Sequence, residues 1–284
     1  MTGAPAPMTA LSDELRAAPL GHATGYPDTY DARLLFPVPR APQREEIGIA
    51  GALPFTGADV WTAFELTWLD PRGKPAVAIA SFEVPVTSPS IVESKSVKLY
   101  LGSFAQSRFD DAAAVSAAIV RDLSAAVGAP VTLELVAPAA FHRLRVAELP
   151  GESLDDLRIA ADRYEVDPAL LAAAGPVVAE ALRTDLFRSV CPITGQPDYA
   201  SVAVTYRGPR IDRAALLRYL VSYRTHPGFH EHCVERVFVD VAAACRCKAL
   251  TVHARFTRRG GIDINPFRSD AGTAVPVNVR TPRQ

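Results

Sequence analysis

One order of elements occurs twice in this chain, and any fold has to accommodate both occurrences. In the first, WTAFELTWL (61–69) and AVAIASFEV (76–84) are rich in strand formers and are joined by DPRGKP, which predicts a hairpin. ESKSVKLYLGSF (93–104) places Val97, Tyr100, Leu101 and Phe104 at i, i+3, i+4 and i+7, one face of a helix. DDAAAVSAAIVRDLSAAVG (110–128) predicts a second helix, with acids at its start and Gly128 at its end. VTLELVAP (131–138) predicts a strand and FHRLRVAEL (141–149) its partner.

In the second occurrence ALRTDLFRSVCPI (181–193) fits strand or helix by pattern alone, and SVAVTYRG (201–208) predicts a strand. ALLRYLVSY (215–223) carries Leu216, Tyr219, Leu220 and Tyr223 at helical spacing. HEHCVERVFVDVAAAC (230–245) predicts the second helix, ALTVHARF (249–256) the following strand, and GIDINPF (261–267) the end of the sheet. Laying Tyr100 over Tyr219 puts Phe104 over Tyr223 and Glu93 over Asp212. One inserted residue then brings Phe109 to Phe229 and Asp110-Asp111 to His230-Glu231. The expectation is an α+β protein built from a duplicated ββααββ unit of roughly 100 residues. Its expected organisation is a tail and leading segment over 1–50, a first unit over 51–150, a connector over 151–180 and a second unit over 181–284. The polar positions differ between the copies, and if each holds part of one site, that site lies between them.

Composition narrows the function. The 284 residues are 49% hydrophobic, enough for a large core. The 30 Lys and Arg against 31 Asp and Glu give a net charge of -1, which argues against general affinity for nucleic acid and for a small-molecule role. No apolar run reaches the roughly 18 residues of a membrane span. MTGAPAPMTALSDELRAAPLGH (1–22) lacks the pattern of a signal peptide and reads as a mobile tail. The four cysteines, Cys191, Cys233, Cys245 and Cys247, form no disulfide framework, so a reduced cytoplasmic chain is expected. Cys245-Arg-Cys247 has the wrong spacing for a zinc half-site, and no metal is expected.

Four stretches carry candidate chemistry. In SVCPITGQPD (189–198), Pro192 turns the chain just after Cys191, and Asp198 follows within reach as a proton carrier. A thiol with a pKa of about 8.5 is a ready nucleophile once deprotonated, but free cysteine is also among the most buried residue types. In PGFHEHCVER (227–236), Glu231 is either a favourable helix-start charge or an acceptor for an amidine-like edge such as that of guanine, with His230 as a second polar contact. In IVESKSVKLY (91–100), Glu93 and Ser94 either cap a helix or meet a ligand, with Lys95 and Lys98 for an anionic group. In RFTRRGGIDINPFR (255–268), Arg255, Arg258 and Arg259 surround Gly260-Gly261, as a polar turn or a phosphate contact. Neither GxGxxG between a strand and a helix nor GxxxxGK[ST] occurs, which excludes the ordinary dinucleotide and P-loop sites. On these residues alone a cysteine acylase and a nucleobase-binding module fit equally well.

Together the stretches resemble the NADPH-dependent 7-cyano-7-deazaguanine reductases, the nitrile reductases of queuosine biosynthesis, in their long two-domain form. The resemblance runs from GYPDTYDARLL (25–35) to RRGGIDINPFRS (258–269), through Glu-Ser-Lys-Ser-x-Lys-Leu-Tyr at 93–100, Cys-x-x-Thr-x-Gln-Pro-Asp at 191–198 and Phe-His-Glu at 229–231. It implies tandem tunnelling-fold (T-fold) domains, each an antiparallel sheet with helices on one face, in a cytoplasmic homodimer that binds no nucleic acid or membrane. It implies a four-electron reduction of a nitrile to an amine with two NADPH and no metal, in a pathway of tRNA modification. Cys191 would attack the nitrile to give a thioimide, and Asp198 would protonate its nitrogen. A thiohemiaminal and then an imine would follow, with His230 contacting the substrate and relaying protons. Val92, Glu93, Ser94, His230 and Glu231 would hold the deazapurine base, and Ser94, Lys95, Arg259 and Gly260 the NADPH, with Arg258 added for its 2′-phosphate. The alternatives are a purine- or pterin-binding T-fold protein without reductase activity and a T-fold cyclohydrolase, the latter short of metal ligands.

Overall fold

Ala78, Ala80, Phe82 and Val84 are buried at every second position of the strand Pro75–Pro85, the period of a sheet with one face on a core. That strand belongs to a computed structural model describing residues 25–284, in which most of the secondary structure falls where the patterns put it. The tail expected at the N-terminus lies outside the described residues.

The strands are β1 (Pro37–Pro39), β2 (Thr56–Leu69), β3 (Pro75–Pro85), β4 (Ser90–Val92), β5 (Thr132–Val136), β6 (Glu152–Ser153), β7 (Ala173–Val190), β8 (Pro197–Ile211), β9 (Ala249–Phe256) and β10 (Ile262–Ser269). The α-helices are α1 (Ala41–Glu46), α2 (Ser94–Gly102), α3 (Ala112–Val127), α4 (Arg213–Ser222) and α5 (His230–Cys245). Segment 181–193, open between strand and helix, lies largely in β7, which pairs with β8 across two register shifts. Eight strands form one sheet in the order β5-β3-β2-β10-β9-β8-β7-β6, and β1 pairs with β4 alongside it. Every pairing in the large sheet is antiparallel except β6 with β7. The helices cover one face, with one apolar cluster around Trp61, Phe82, Tyr100 and Ile119 and another around Leu216, Phe238, Val252 and Phe256. No helix among the described residues is long and apolar enough to cross a membrane.

The duplication is visible in matched contacts. Tyr100 Oη donates to Asp122 at 2.8 Å, and Tyr219 Oη donates to Asp240 at 2.6 Å. Tyr100 meets Phe104 edge-on, and Tyr219 meets Tyr223 in the same way. Glu93 caps α2, as Asp212 caps α4. The copies differ at their ends. The strand expected over 141–149 does not form: Pro138 opens a 3-10 turn, Pro138–Arg143, and Val146 then makes only an isolated bridge to Arg280. Leu144 and Val146 stay 41% and 48% exposed, so a strand there has no core to bury them against.

The two halves meet along β2 and β10, which pair from Thr56–Ser269 to Ala63–Ile262. Gly57 is required at that seam: its φ is 139°, and a Cβ would stand 2.0 Å from the Phe267 carbonyl oxygen. Across the seam runs a buried ion cluster. Arg268 Nη2 donates to Asp59 at 2.7 Å and to Glu235 at 2.9 Å, and Arg40 donates to Asp59 at 2.5 Å. Arg44 forks onto both oxygens of Glu235, at 2.9 and 2.8 Å. Burial alone would push the Glu235 carboxyl up, but Arg268, Arg44 and Arg40 pull it down to about 2. Replacing Glu235 by Ala leaves Arg268 and Arg44 with fewer partners and is expected to cost roughly 3–5 kcal/mol. Urea unfolding reads this as a lower midpoint with an unchanged slope; a midpoint equal to that of the parent protein would remove the cluster from any account of stability.

Candidate active site

The turn between β7 and β8 builds the centre of the site. Ser189 pairs across from Asp198, and Cys191 N donates to Gln196 O at 2.8 Å. Residues two apart on a strand share a face, and directly paired residues share it too, so Cys191 and Asp198 are diagonal neighbours on one side of the hairpin. Gly195 N donates to Cys191 O at 2.9 Å, closing the turn that Pro192 and Gly195 (φ 69°) permit. Helix α5 begins beside this hairpin, because Val190 N donates to His226 O and Gly228 N to Val190 O. Its first residues are His230 and Glu231. From the other half, β4 and the start of α2 bring Val92, Ser94 and Lys98.

These elements enclose an open cleft of about 540 Å³ whose walls include Val92, Ser94, Lys98, Cys191, Asp198, His230, Glu231 and Arg259. Cys191 is only 5% exposed, and what shows of it faces this cleft. Asp198 Oδ1 lies 2.7 Å from Arg259 Nη2 and 3.3 Å from His230 Nε2. His230 stacks flat on Phe256 at 3.7 Å, and its buried Nδ1 has no hydrogen-bond partner among the described residues. Glu231 is buried. Desolvation, with the charge of Asp59 behind it, pushes its carboxyl up to about 8. Lys98 is pulled the other way by desolvation and by Arg259, while Glu93, Asp198 and Cys191 oppose the drop. A thiol, a carboxylate, an imidazole and a buried acid thus share one small space with two cations. A larger cavity, of about 1580 Å³, lies on the opposite sheet face beneath the C-terminal segment, but among its lining residues is no cysteine or histidine.

A family profile described as "Nitrile reductase, 7-cyano-7-deazaguanine-reductase N-term" matches residues 26–135, and one described as "QueF-like protein" matches 197–274. A protein of Burkholderia vietnamiensis named NADPH-dependent 7-cyano-7-deazaguanine reductase is 58% identical over 269 residues, covering 94% of this chain and 98% of its own length. Proteins of the same name from Burkholderia multivorans, at 58%, and Burkholderia mallei, at 57%, match over the same coverage. The chain belongs to the NADPH-dependent 7-cyano-7-deazaguanine reductases. Members of this family are oxidoreductases by name. A solved structure titled as an archaeosine synthase QueF-Like in the apo form covers 35% of this chain at 22% identity with a TM-score of 0.31, too loose a likeness to add to the assignment.

The structure gathers most, though not all, of the reductase residues expected from the sequence. Val92, Ser94, Cys191, Asp198, His230, Glu231 and Arg259 stand on the cleft wall. Glu93 stands just behind it: its Oε1 accepts from Lys95 N at 2.6 Å and its Oε2 from Ser96 N at 2.8 Å, so it is the cap of α2. Lys95 is half-buried on the first turn of α2 and does not line the cleft. Arg258 is off the wall as well, with its guanidinium 4.4 Å over the Phe64 ring. Gly260 (φ 59°) packs against the neighbouring lysine: a Cβ there would lie 3.2 Å from Lys98 Cδ and Cε. Lys98 was noted in its motif but given no place in the site. The signal was its spacing, since Ser94 and Lys98 at i and i+4 share a helix face. Phe256, which holds His230 by stacking, carried no signal beyond its strand.

The exposures make an ordering testable. Cys233 and Cys245 are fully buried, and burial pushes their thiols up to about 12 and 11. Iodoacetamide is therefore expected to label Cys191 before Cys233 or Cys245, as read by peptide mass after short exposures. Labelling of Cys233 or Cys245 first would mean that the cleft does not present the Cys191 sulfur.

Proposed function

We propose that this chain reduces the nitrile of 7-cyano-7-deazaguanine to the amine of 7-aminomethyl-7-deazaguanine through a covalent thioimide on Cys191. The observation that carries the reading is the joint presence of Cys191, Asp198, His230 and Glu231 on the wall of one cleft. A nitrile carbon is a poor hydride acceptor. Thiol addition converts it to a C=N group that polarises readily once its nitrogen is protonated, dividing a hard step into easier ones. Cys191 Sγ bonds to the carbon, one π bond of the nitrile opens, and Asp198 carries the thiol proton to the nitrogen. His230, its Nε2 turned to Asp198 and its Nδ1 unpaired, holds the proton traffic beside the nitrogen. Cys191 departs as thiolate once the carbon has been reduced, leaving the imine within the cleft.

Glu231 takes the amidine edge of the base, and Val92, with the Glu93–Ser94 backbone, borders it. Two cations on the cleft wall, Lys98 and Arg259, fit a phosphate-bearing dinucleotide. Ser94, Lys95, Arg259 and Gly260 would hold NADPH, with Arg258 nearby. When bound, NADPH supplies hydride, two equivalents for each nitrile taken to the amine. We place the enzyme in the cytoplasm as a homodimer acting on the free base, not on nucleic acid, within queuosine synthesis. The net charge of -1 and four free cysteines agree with that placement.

Mixing the protein with the nitrile and no NADPH is expected to give a new absorbance band and a mass gain on the Cys191 peptide. Cys191→Ala should lose both, together with all NADPH oxidation. A wild-type protein that binds the base and forms no adduct would be the purine-binding alternative, and the covalent route would be wrong.

Glu231 gives a second check. Its carboxyl, raised to about 8 by burial, is mostly neutral at pH 7 and must ionise to accept two N–H donors from the base. Binding at pH 7 should therefore release a proton, tighten as pH rises and level off above about 8. Calorimetry in buffers of different ionisation heat counts the proton. Glu231→Gln should abolish the release and weaken binding, and unchanged base affinity in Glu231→Gln would take Glu231 out of base recognition.

A further inference from the structure

We infer that Arg259 is a positioning residue for Asp198 in the thiol-addition step, a role separate from holding the cofactor. This rests on the proposed covalent route and deepens it. An arginine reserved for a dinucleotide would point into the open part of the cleft. Instead Arg259 Nη2 lies 2.7 Å from Asp198 Oδ1, a carboxylate whose side chain is 3% exposed. The arginine is delivered there by backbone. Beta-strand pairing of Ala200 with Phe256 runs the end of β9 along the start of β8, and Thr257 N donates to Tyr199 O at 2.8 Å. Arg259 N then donates to Ile262 O at 2.9 Å, and Phe64 N, from the first half, donates to Gly261 O at 2.9 Å. The turn is thus pinned by backbone hydrogen bonds from both halves of the sheet, and the guanidinium falls on Asp198.

The pairing fixes which atom does what. Arg259 and His230 both approach Oδ1, so the carboxylate is clamped between a cation and an imidazole that is itself stacked on Phe256. In the proposed step Asp198 first accepts the Cys191 proton and then returns that same proton to the nitrile nitrogen. The S–C bond forms as one C≡N π bond breaks, the proton ends on nitrogen, and no electrons are gained or lost overall. Without the clamp the carboxylate is free to rotate away from the sulfur. A displacement of about 1 Å at a reacting group costs roughly a hundredfold in rate.

The test removes the cofactor from the measurement. Adduct formation with the nitrile is followed by absorbance and mass, without NADPH, in wild type, Arg259→Ala and Arg259→Lys. Binding of the aminomethyl base reports whether each variant keeps its site. Arg259→Ala is expected to bind the aminomethyl base normally yet form the adduct about a hundredfold more slowly, with part of the rate restored by Arg259→Lys or by added methylguanidinium. An unchanged adduct rate in Arg259→Ala would overturn the inference and leave Arg259 no role in thiol addition. Loss of base binding together with the adduct, unrescued by methylguanidinium, would overturn it too. A wild type that forms no adduct refutes the covalent route itself, a separate result.

Discussion

The buried ion cluster at the β2–β10 seam is the interaction on which the rest depends. Asp59 belongs to the first half, Glu235 and Arg268 to the second, and Arg40 and Arg44 to the leading segment. Charges this deeply buried are tolerated only when every member is paired, so the cluster demands that all three parts of the chain arrive together. Glu231 and Glu235 lie one helical turn apart on α5. The carboxylate that holds the seam and the one on the cleft wall are therefore positioned by the same helix. Desolvation does most to raise the Glu231 carboxyl, Asp59 adds to the rise, and Arg40 and Arg268 oppose it, so the seam also bears on the charge of the site.

Duplication explains where the cleft lies but not why only one side is armed. Each copy offers a capped helix start, Glu93 at α2 and Asp212 at α4. Each also offers a longer helix packed against the sheet, α3 and α5. The cleft takes its walls from both: the α2 start with Lys98 from one, the Cys191–Asp198 hairpin and the α5 start from the other. At the matching place beside Asp212 the walls are Ala172, Ala173, Ala174, Arg210 and Arg213, with no thiol. The duplicated scaffold persists, and the reactive groups occupy one of its two equivalent positions.

Helices and most strands were legible because each has a period or a cap that acts locally. Asp111 and Gly128 bound α3 as their residue types require, and the spacing of Tyr100 and Tyr219 carried the duplication. The segment 141–149 was misread because Leu144 and Val146 alternate like a strand, and alternation cannot report whether a neighbour exists to pair with. In the site, the motifs named residues that the fold brings to one cleft, but local sequence is silent on direction. Glu93 turned inward to cap its own helix, Arg258 lay over Phe64, and Arg259 found Asp198. The ion cluster was not foreseen, since its members are spread from residue 40 to 268 and nothing local couples them.

Burial of Cys191 and its proposed reactivity are one property. The sequence posed them as alternatives, filler or nucleophile, because thiols are usually buried and inert. Here Cys191 is almost wholly buried, and the cleft it lines also holds a carboxylate, an imidazole and two cations. A thioimide formed in open water would be exposed to hydrolysis before reduction. Formed against Asp198 and Glu231, each only 4% exposed, it meets little solvent, and the groups that polarise it act across a medium that weakens them less than water does. The exposure that would make Cys191 easy to recognise as a nucleophile would also destroy the intermediate it is proposed to carry.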